Sequence, residues 1–144
     1  MKKYKQAVIP KVSIPDEWKT KTGKELRDIV HEKLQAIKGK TVINEHLKII
    51  INISGKGLRK TTYGAIMYPK KAALSFCLLE LLKHAEYNNW GDKKVKDGLH
   101  IIGYLNFKAK CVIDNKVENV HLAVQFQKDG KFHYSMEINK IKIK

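Results

Sequence analysis

Cysteine is scarce in this sequence, with only Cys77 and Cys111 among 144 residues. The two fall in different elements and lack metal-ligand spacing, so a structural zinc site has no support and two buried thiols are expected. Long apolar runs are also missing. The longest, AALSFCLLELL at 72–82, is interrupted by Ser75 and Glu80 and falls short of a membrane span. The basic start MKKYKQAVIP leads into no apolar segment of signal-peptide length. A cytoplasmic protein with no membrane partner is therefore expected. Proline is rare and unevenly placed: Pro10 and Pro15 lie in the first 21 residues and only Pro69 lies beyond. Residues 1–21 are expected to form an extended arm, because proline restricts both itself and its predecessor. Acidic residues are the last shortage. Asp and Glu number 14 against 29 Lys and Arg, giving a net charge of +15 and a pI near 9.8. The lysines are scattered rather than blocked. A charge of this size attracts polyanions, so RNA, another nucleic acid or an acidic protein is the expected partner.

What is present suits one domain over residues 22–144. Hydrophobic residues make up 43% of the chain, enough for a core. Thr22 followed by Glu25 forms a capping box, and Leu26, Ile29, Val30, Leu34 and Ile37 recur at helical spacing up to Gly39. TVINEH and LKIIINIS read as a hairpin. GKGLRKTTYG reads as a glycine-bounded basic loop. PKKAALSFCLLELLKHAEY reads as a second, central helix that opens on Pro69. NNWGDKKVKDG reads as a polar loop. Its Trp90 suits a plug over the end of the core better than a base-stacking platform. Three alternating strands follow, and the tail NKIKIK shifts parity near Asn139, as a bulge would. The order helix, two strands, helix, three strands predicts an α+β fold. Its antiparallel sheet of about five strands carries two helices on one face and leaves the other face open.

Turn chemistry sets the register. A three-residue loop Lys128-Asp129-Gly130 with Gly130 left-handed pairs Phe126 with Phe132, Val124 with Tyr134 and Leu122 with Met136. A two-residue turn would mix polar and apolar faces. A two-residue Asp114-Asn115 turn pairs Phe107 with Leu122. The open face then carries one row of Lys108, His121 and Glu137 and another of Tyr104, Gln125 and His133. Opposed side chains in such rows have Cβ atoms about 4.5–5.5 Å apart. Histidine beside glutamate suits general acid–base catalysis, and a neighbouring lysine would stabilise charge on phosphorus. His121 and Glu137 are the expected acid–base pair, with His133 as a second candidate and Lys108 and Lys110 as cationic contacts. His100, which begins a strand after DGL, ranks below His121. Cross-strand charge pairing on a solvated face accounts for the same residues without catalysis. In the basic loop, Lys56, Arg59 and Lys60 beside Thr61 and Thr62 are candidate phosphate contacts, with no Walker pattern.

The segments TGKELRDIVHEKLQAIKGKTVINEHLKIIINISGKGLRKTTYG, KAALSFCLLELLKHAEY and IDNKVENVHLAVQFQKDGKFHYSMEI together resemble the phage and mobile-element family called the large polyvalent-protein-associated domain, type three. The similarity covers roughly residues 20–140. It implies kinship with the barnase, EndoU and RelE-like ribonucleases: an antiparallel sheet, active residues on its exposed face, and metal-independent RNA cleavage without a cofactor. It also carries over Lys60 and Thr61 as a basic residue and a hydroxyl at the ligand. An acidic inhibitor protein would suit such a basic nuclease. Two other readings remain: a non-catalytic module that docks on nucleic acid or an acidic protein, and a virion or assembly component whose arm pairs with a neighbouring subunit.

Overall fold

Thr22 opens the first helix as its spacing predicts. The computed structural model describes residues 9–63, 67–134 and 141–142. Within them α1 spans Gly23–Gln35, and the capping box is closed from both sides: Glu25 N–H donates to Thr22 Oγ1 (3.1 Å) and Thr22 N–H to Glu25 Oε1 (2.9 Å). Leu26, Val30 and Leu34 are buried. Strands β2 (Thr41–Asn44) and β3 (Ile49–Ile53) form the expected hairpin, with Ile51 and Ile53 in the core. Asn44 is fully buried in that hairpin. Its Nδ2 donates to the carbonyls of Leu82 (2.8 Å) and Ala85 (2.9 Å), and its Oδ1 accepts from Leu47 N–H (2.8 Å).

GKGLRKTTY is not a loop but helix α2, Gly55–Tyr63. Its glycines mislead because the burial comes from elsewhere. Leu58, Thr61 and Thr62 sit at helical spacing and are buried. Both threonine hydroxyls bond to the carbonyl four residues back, Gly57 (3.2 Å) and Leu58 (3.0 Å), which satisfies polar groups that burial would otherwise penalise. The helix expected after Pro69 is split into α3 (Pro69–Phe76) and α4 (Leu78–His84) at Cys77, which leaves helical geometry at φ −108°, ψ 24°. Cys77 N–H turns back to Leu74 O (3.1 Å), and its Sγ lies 3.9 Å from Cys111 Sγ. The two thiols therefore touch, and both are free. α3 is buried across Lys71, Ala72, Ala73, Leu74 and Ser75, as a central helix should be. Beside it Lys70 Nζ reaches the buried carboxylate of Glu118 at 2.8 Å. No helix among the described residues is long and apolar enough to cross a membrane.

NNWGD is also not a loop. It belongs to strand β4 (Glu86–Asp92), which pairs antiparallel with β5 (Ile101–Ile113). A register shift between Tyr87 and Asn89 hides its alternation. Trp90 lies over Gly103 and edge-on to Phe126 at 6.5 Å, still 44% exposed. A Cβ at Gly103 would stand 2.0 Å from the Trp90 ring. Gly103→Ala should therefore expel the indole at a cost of about 1–3 kcal/mol, read as a red-shifted tryptophan emission and a lowered Tm.

The long hairpin of β5 and β6 (Lys116–Gln127) organises the sheet. Asp114 and Asn115 both have positive φ and form the expected two-residue turn. At the other end Gly130 (φ 79°) closes the three-residue loop into β7 (Phe132–Tyr134). The predicted register holds there: Lys108 opposes His121, and Gln125 opposes both Tyr104 and His133. The pairings expected for Met136 and Glu137, and the bulge near Asn139, fall outside the described residues. The sheet itself differs from the expectation. Among the described residues it has eight strands in a mixed arrangement that starts from β1 (Lys11–Val12), β1-β5-β6-β7-β3-β2, with β4 also on β5 and β8 (Ile141–Lys142) on β6. β3 runs parallel to β7, and β1 (Lys11–Val12) runs parallel to the end of β5. Thus residues 11–12 pair with this chain's own sheet, and Trp18 packs in its core on Phe76. Among the described residues four α-helices, rather than two, accompany the sheet. The face expected to be open is partly covered, since Ala123 and Gln125 on it are buried.

Candidate functional site

The covered part of that face is a cavity of about 160 Å³ lined by Ser54, Lys56, Gly57, His100, Gln125, Gln127 and His133. Three chain segments build it. The first is the start of α2. Ser54 caps this helix, its Oγ accepting from Gly57 N–H (3.2 Å), and the same hydroxyl donates to Tyr134 O (3.3 Å), which ties the helix start to β7. The positive end of the α2 dipole and the exposed Lys56 thus border the cavity. The second segment is the β6–β7 hairpin, which supplies Gln125, Gln127 and His133. The third is the loop between β4 and β5, which ends at His100. Its carbonyl accepts from Lys128 N–H (2.8 Å), so it is joined to the hairpin loop.

His133 Nε2 lies 3.5 Å from Asp129 Oδ2, and the His133 side chain is 20% exposed. The Lys131 backbone amide, bonded to Asp129 Oδ1 at 2.8 Å, and then His133 hold the Asp129 carboxyl below its usual range. A carboxylate thus stands behind one nitrogen of an imidazole whose ring borders the cavity. Tyr104 donates to Asp97 Oδ2 (2.7 Å), and Gln125 stands opposite it on β6. Gln127 Nε2 donates to Gln125 Oε1 (3.0 Å). These bonds pin the β4–β5 loop to the sheet. Burial, then the bond to Asp97, pushes the Tyr104 phenol up to about 12. Because the folded value is raised, its contribution to stability is complete below the unfolded value of about 10 and is lost as pH rises through 12. In a tyrosinate absorbance titration Tyr104 should ionise late, near pH 12, and Tyr104→Phe should remove that step.

The structure brings together some of the residues singled out from the sequence and separates others. His133 and Lys56 border the cavity. His121 and Lys108 oppose each other as expected, with Glu86 on the far side of Lys108, but their row is four residues along β6 from the Gln125 row, about 13 Å at strand rise. Glu137 lies outside the described residues. Lys110 is exposed further along β5, opposite Asn119, and Arg59 is exposed on α2. Lys60 lies on α2 as well. Thr61 faces inward, fully buried, its hydroxyl 2.6 Å from Tyr134 Oη. His46 Nδ1 accepts from Tyr87 N–H (2.8 Å), a structural tie between the β2–β3 turn and β4. Asp129, Asp97, Ser54 and Gln127 were not singled out. The hairpin loop held one usable signal, because a three-residue turn returns residue 129 to within reach of residue 133.

Among the described residues no group of three or more His, Cys, Asp or Glu side chains is placed to hold a metal ion. Fold and site together define an α+β domain whose mixed sheet carries a basic, histidine-lined cavity. The family model for large polyvalent protein-associated domain 3 matches residues 21–134, and the chain belongs to that family. This membership agrees with the phage and mobile-element association implied by the resemblance. No curated protein and no solved structure matches the chain.

Proposed function

We propose that the cavity binds single-stranded RNA and cleaves it by general acid–base chemistry without a metal. The observation that carries this reading is that two imidazoles, His133 and His100, border one cavity with Lys56 and the start of α2. Among the described residues the lining offers imidazole, amide, hydroxyl and ammonium groups and no carboxylate, a set suited to a phosphodiester rather than to a hard cation. His133, oriented by Asp129, takes the proton of a 2′-hydroxyl. The oxygen attacks the adjacent phosphorus, the P–O5′ bond breaks, and His100 protonates the departing oxygen to leave a 2′,3′-cyclic phosphate. Lys56 and the α2 amides meet the charge that builds on the phosphoryl oxygens. His121 and Lys108, with Lys110 and Arg59, extend a basic surface for the flanking backbone. Kinship with the barnase, EndoU and RelE-like ribonucleases would account for such a sheet-borne site, and an acidic inhibitor would suit the charge.

The test is incubation of the full chain with a labelled single-stranded RNA in EDTA. Cleavage to cyclic-phosphate ends is expected. Intact RNA under conditions where it is bound would overturn the catalytic half and leave a binding module. The net charge of +15 favours that second reading independently. Its mark is affinity that falls steeply with salt and no strand scission.

A further inference from the structure

Cys77 and Cys111 are the two cysteines of the chain, and they take no part in the cavity. Their Sγ atoms lie 3.9 Å apart, in van der Waals contact, and both thiols are free. The two residues are held differently. Cys111 is fully buried where β5 is flanked on both sides: Glu118 opposes it on β6, and its neighbour Val112 pairs with β1. Cys77 is partly exposed and stands at the break between α3 and α4, outside helical geometry. A disulfide needs its sulfurs at about 2.05 Å, so one of them must advance by roughly 2 Å. The break allows Cys77 that approach, because no continuous helix has to bend with it. Electrostatics favour a thiolate in the pair. The Cys77 S–H, facing Cys111, holds the Cys111 thiol below its usual range. The buried Glu118 carboxylate would oppose a thiolate there, but Lys70 Nζ pairs with it at 2.8 Å. Proton transfer across the sulfur–sulfur contact places the same charge on Cys77, the residue nearer solvent.

We infer that Cys77 and Cys111 are a redox-responsive pair, which a peroxide closes into an internal disulfide and a thiol reductant reopens. The Cys77 thiolate attacks one oxygen of hydrogen peroxide. The O–O bond breaks, and the leaving hydroxide takes the proton shed by the pair and becomes water. Cys111 then attacks the sulfur of the Cys77 sulfenic acid. The S–O bond breaks, and the second hydroxide leaves as water with the Cys111 proton. The two thiols give up two electrons and two protons, and the peroxide gains them. Burial sets the order, since the oxidant reaches Cys77 and Cys111 resolves it. The bond fastens the α3–α4 break to the sheet. It does not depend on the RNA-binding reading: Glu118, opposite Cys111, is seven residues along β6 from Gln125, about 23 Å at strand rise.

The experiment treats the folded full chain with a small excess of hydrogen peroxide, quenches with catalase, unfolds the protein in iodoacetamide and measures its intact mass. The parent should lose two hydrogens and take up no alkyl group, and dithiothreitol should restore both alkylation sites. The oxidised chain should melt several degrees above the reduced one, because the cross-link restrains the unfolded state. In Cys111→Ala, dimedone should trap a sulfenic acid at Cys77. In Cys77→Ala, the buried Cys111 should keep its thiol. Two alkylated cysteines after peroxide, oxygen added to one sulfur while the other stays free, or a disulfide formed only between chains would overturn the inference. Each of those outcomes is read in the parent, so it stands whether or not the variants fold.

Discussion

Replacing His133 by alanine should lower RNA cleavage by about 10²–10⁴-fold and leave the Tm within a degree or two of the parent. The first expectation follows from its place: a side chain 20% exposed, backed by Asp129 and bordering the cavity. The second follows from its packing, since His133 lies on the sheet face away from the core. Its strand neighbours Phe132 and Tyr134 pack on the other face. Asp129→Asn is the sharper companion. It keeps the size of the side chain and removes the charge that orients the imidazole, so kcat should fall less than for His133→Ala while KM stays level. The pH profile separates orientation from mere structure. The Asp129 carboxyl is held below its usual range, so its contribution to folding is complete above the unfolded value and is lost only as pH falls through the lowered one. The carboxylate is therefore ionised across any neutral-pH profile. Asp129→Asn, which carries no such charge, should therefore lower kcat evenly across that profile. Unchanged cleavage in His133→Ala would remove His133 from the chemistry.

The largest stability effect is expected at Asn44, far from that cavity. Asn44→Ala should cost about 3 kcal/mol, since each buried group left without a partner costs roughly 1–3 kcal/mol. Three partners lose their bond at once: the carbonyls of Leu82 and Ala85 at the end of α4, and the amide of Leu47 in the β2–β3 turn. Water does not replace the side chain, because Asn44 is fully buried. Asn44→Asp should be worse, because it turns a carboxylate oxygen toward two carbonyls. Its exposed neighbour supplies the control: Ile43→Thr should change stability by under about 0.5 kcal/mol. Urea denaturation would show the midpoint falling in Asn44→Ala with an unchanged slope. A midpoint equal to that of Ile43→Thr would mean that the turn and α4 do not depend on this amide.

The part of the site that was legible in the sequence is the part set by local rules. Alternation along β6 and β7, with Gly130 left-handed, is enough to place Gln125 between Tyr104 and His133. Glycine weighting hid α2, because the threonine bonds that make its burial tolerable are invisible until a helix is assumed. One displaced residue at the Tyr87–Asn89 bulge hid β4. The parallel contact of β3 with β7 left no trace at all. It joins segments about 80 residues apart, and neither strand's pattern names its partner. His121 outranked His100 on strand pairing alone, whereas the loop that delivers His100 to the cavity is held by Asp97, a residue with no periodicity to reveal it.

The short strand β7 has a consequence for when the protein becomes competent. It is the seam between the β2–β3 hairpin and the β5–β6 hairpin, held to the first by Asn52 Nδ2 donating to Phe132 O (3.0 Å) and to α2 by Ser54. Each hairpin forms from near neighbours, but the seam must close a long loop and so comes late in folding. The cavity takes Ser54 and Lys56 from one side of the seam and Gln125 and His133 from the other. The cavity is therefore incomplete on a nascent chain until residues 132–134 have left the ribosome and docked, and the cell meets it only as a finished object.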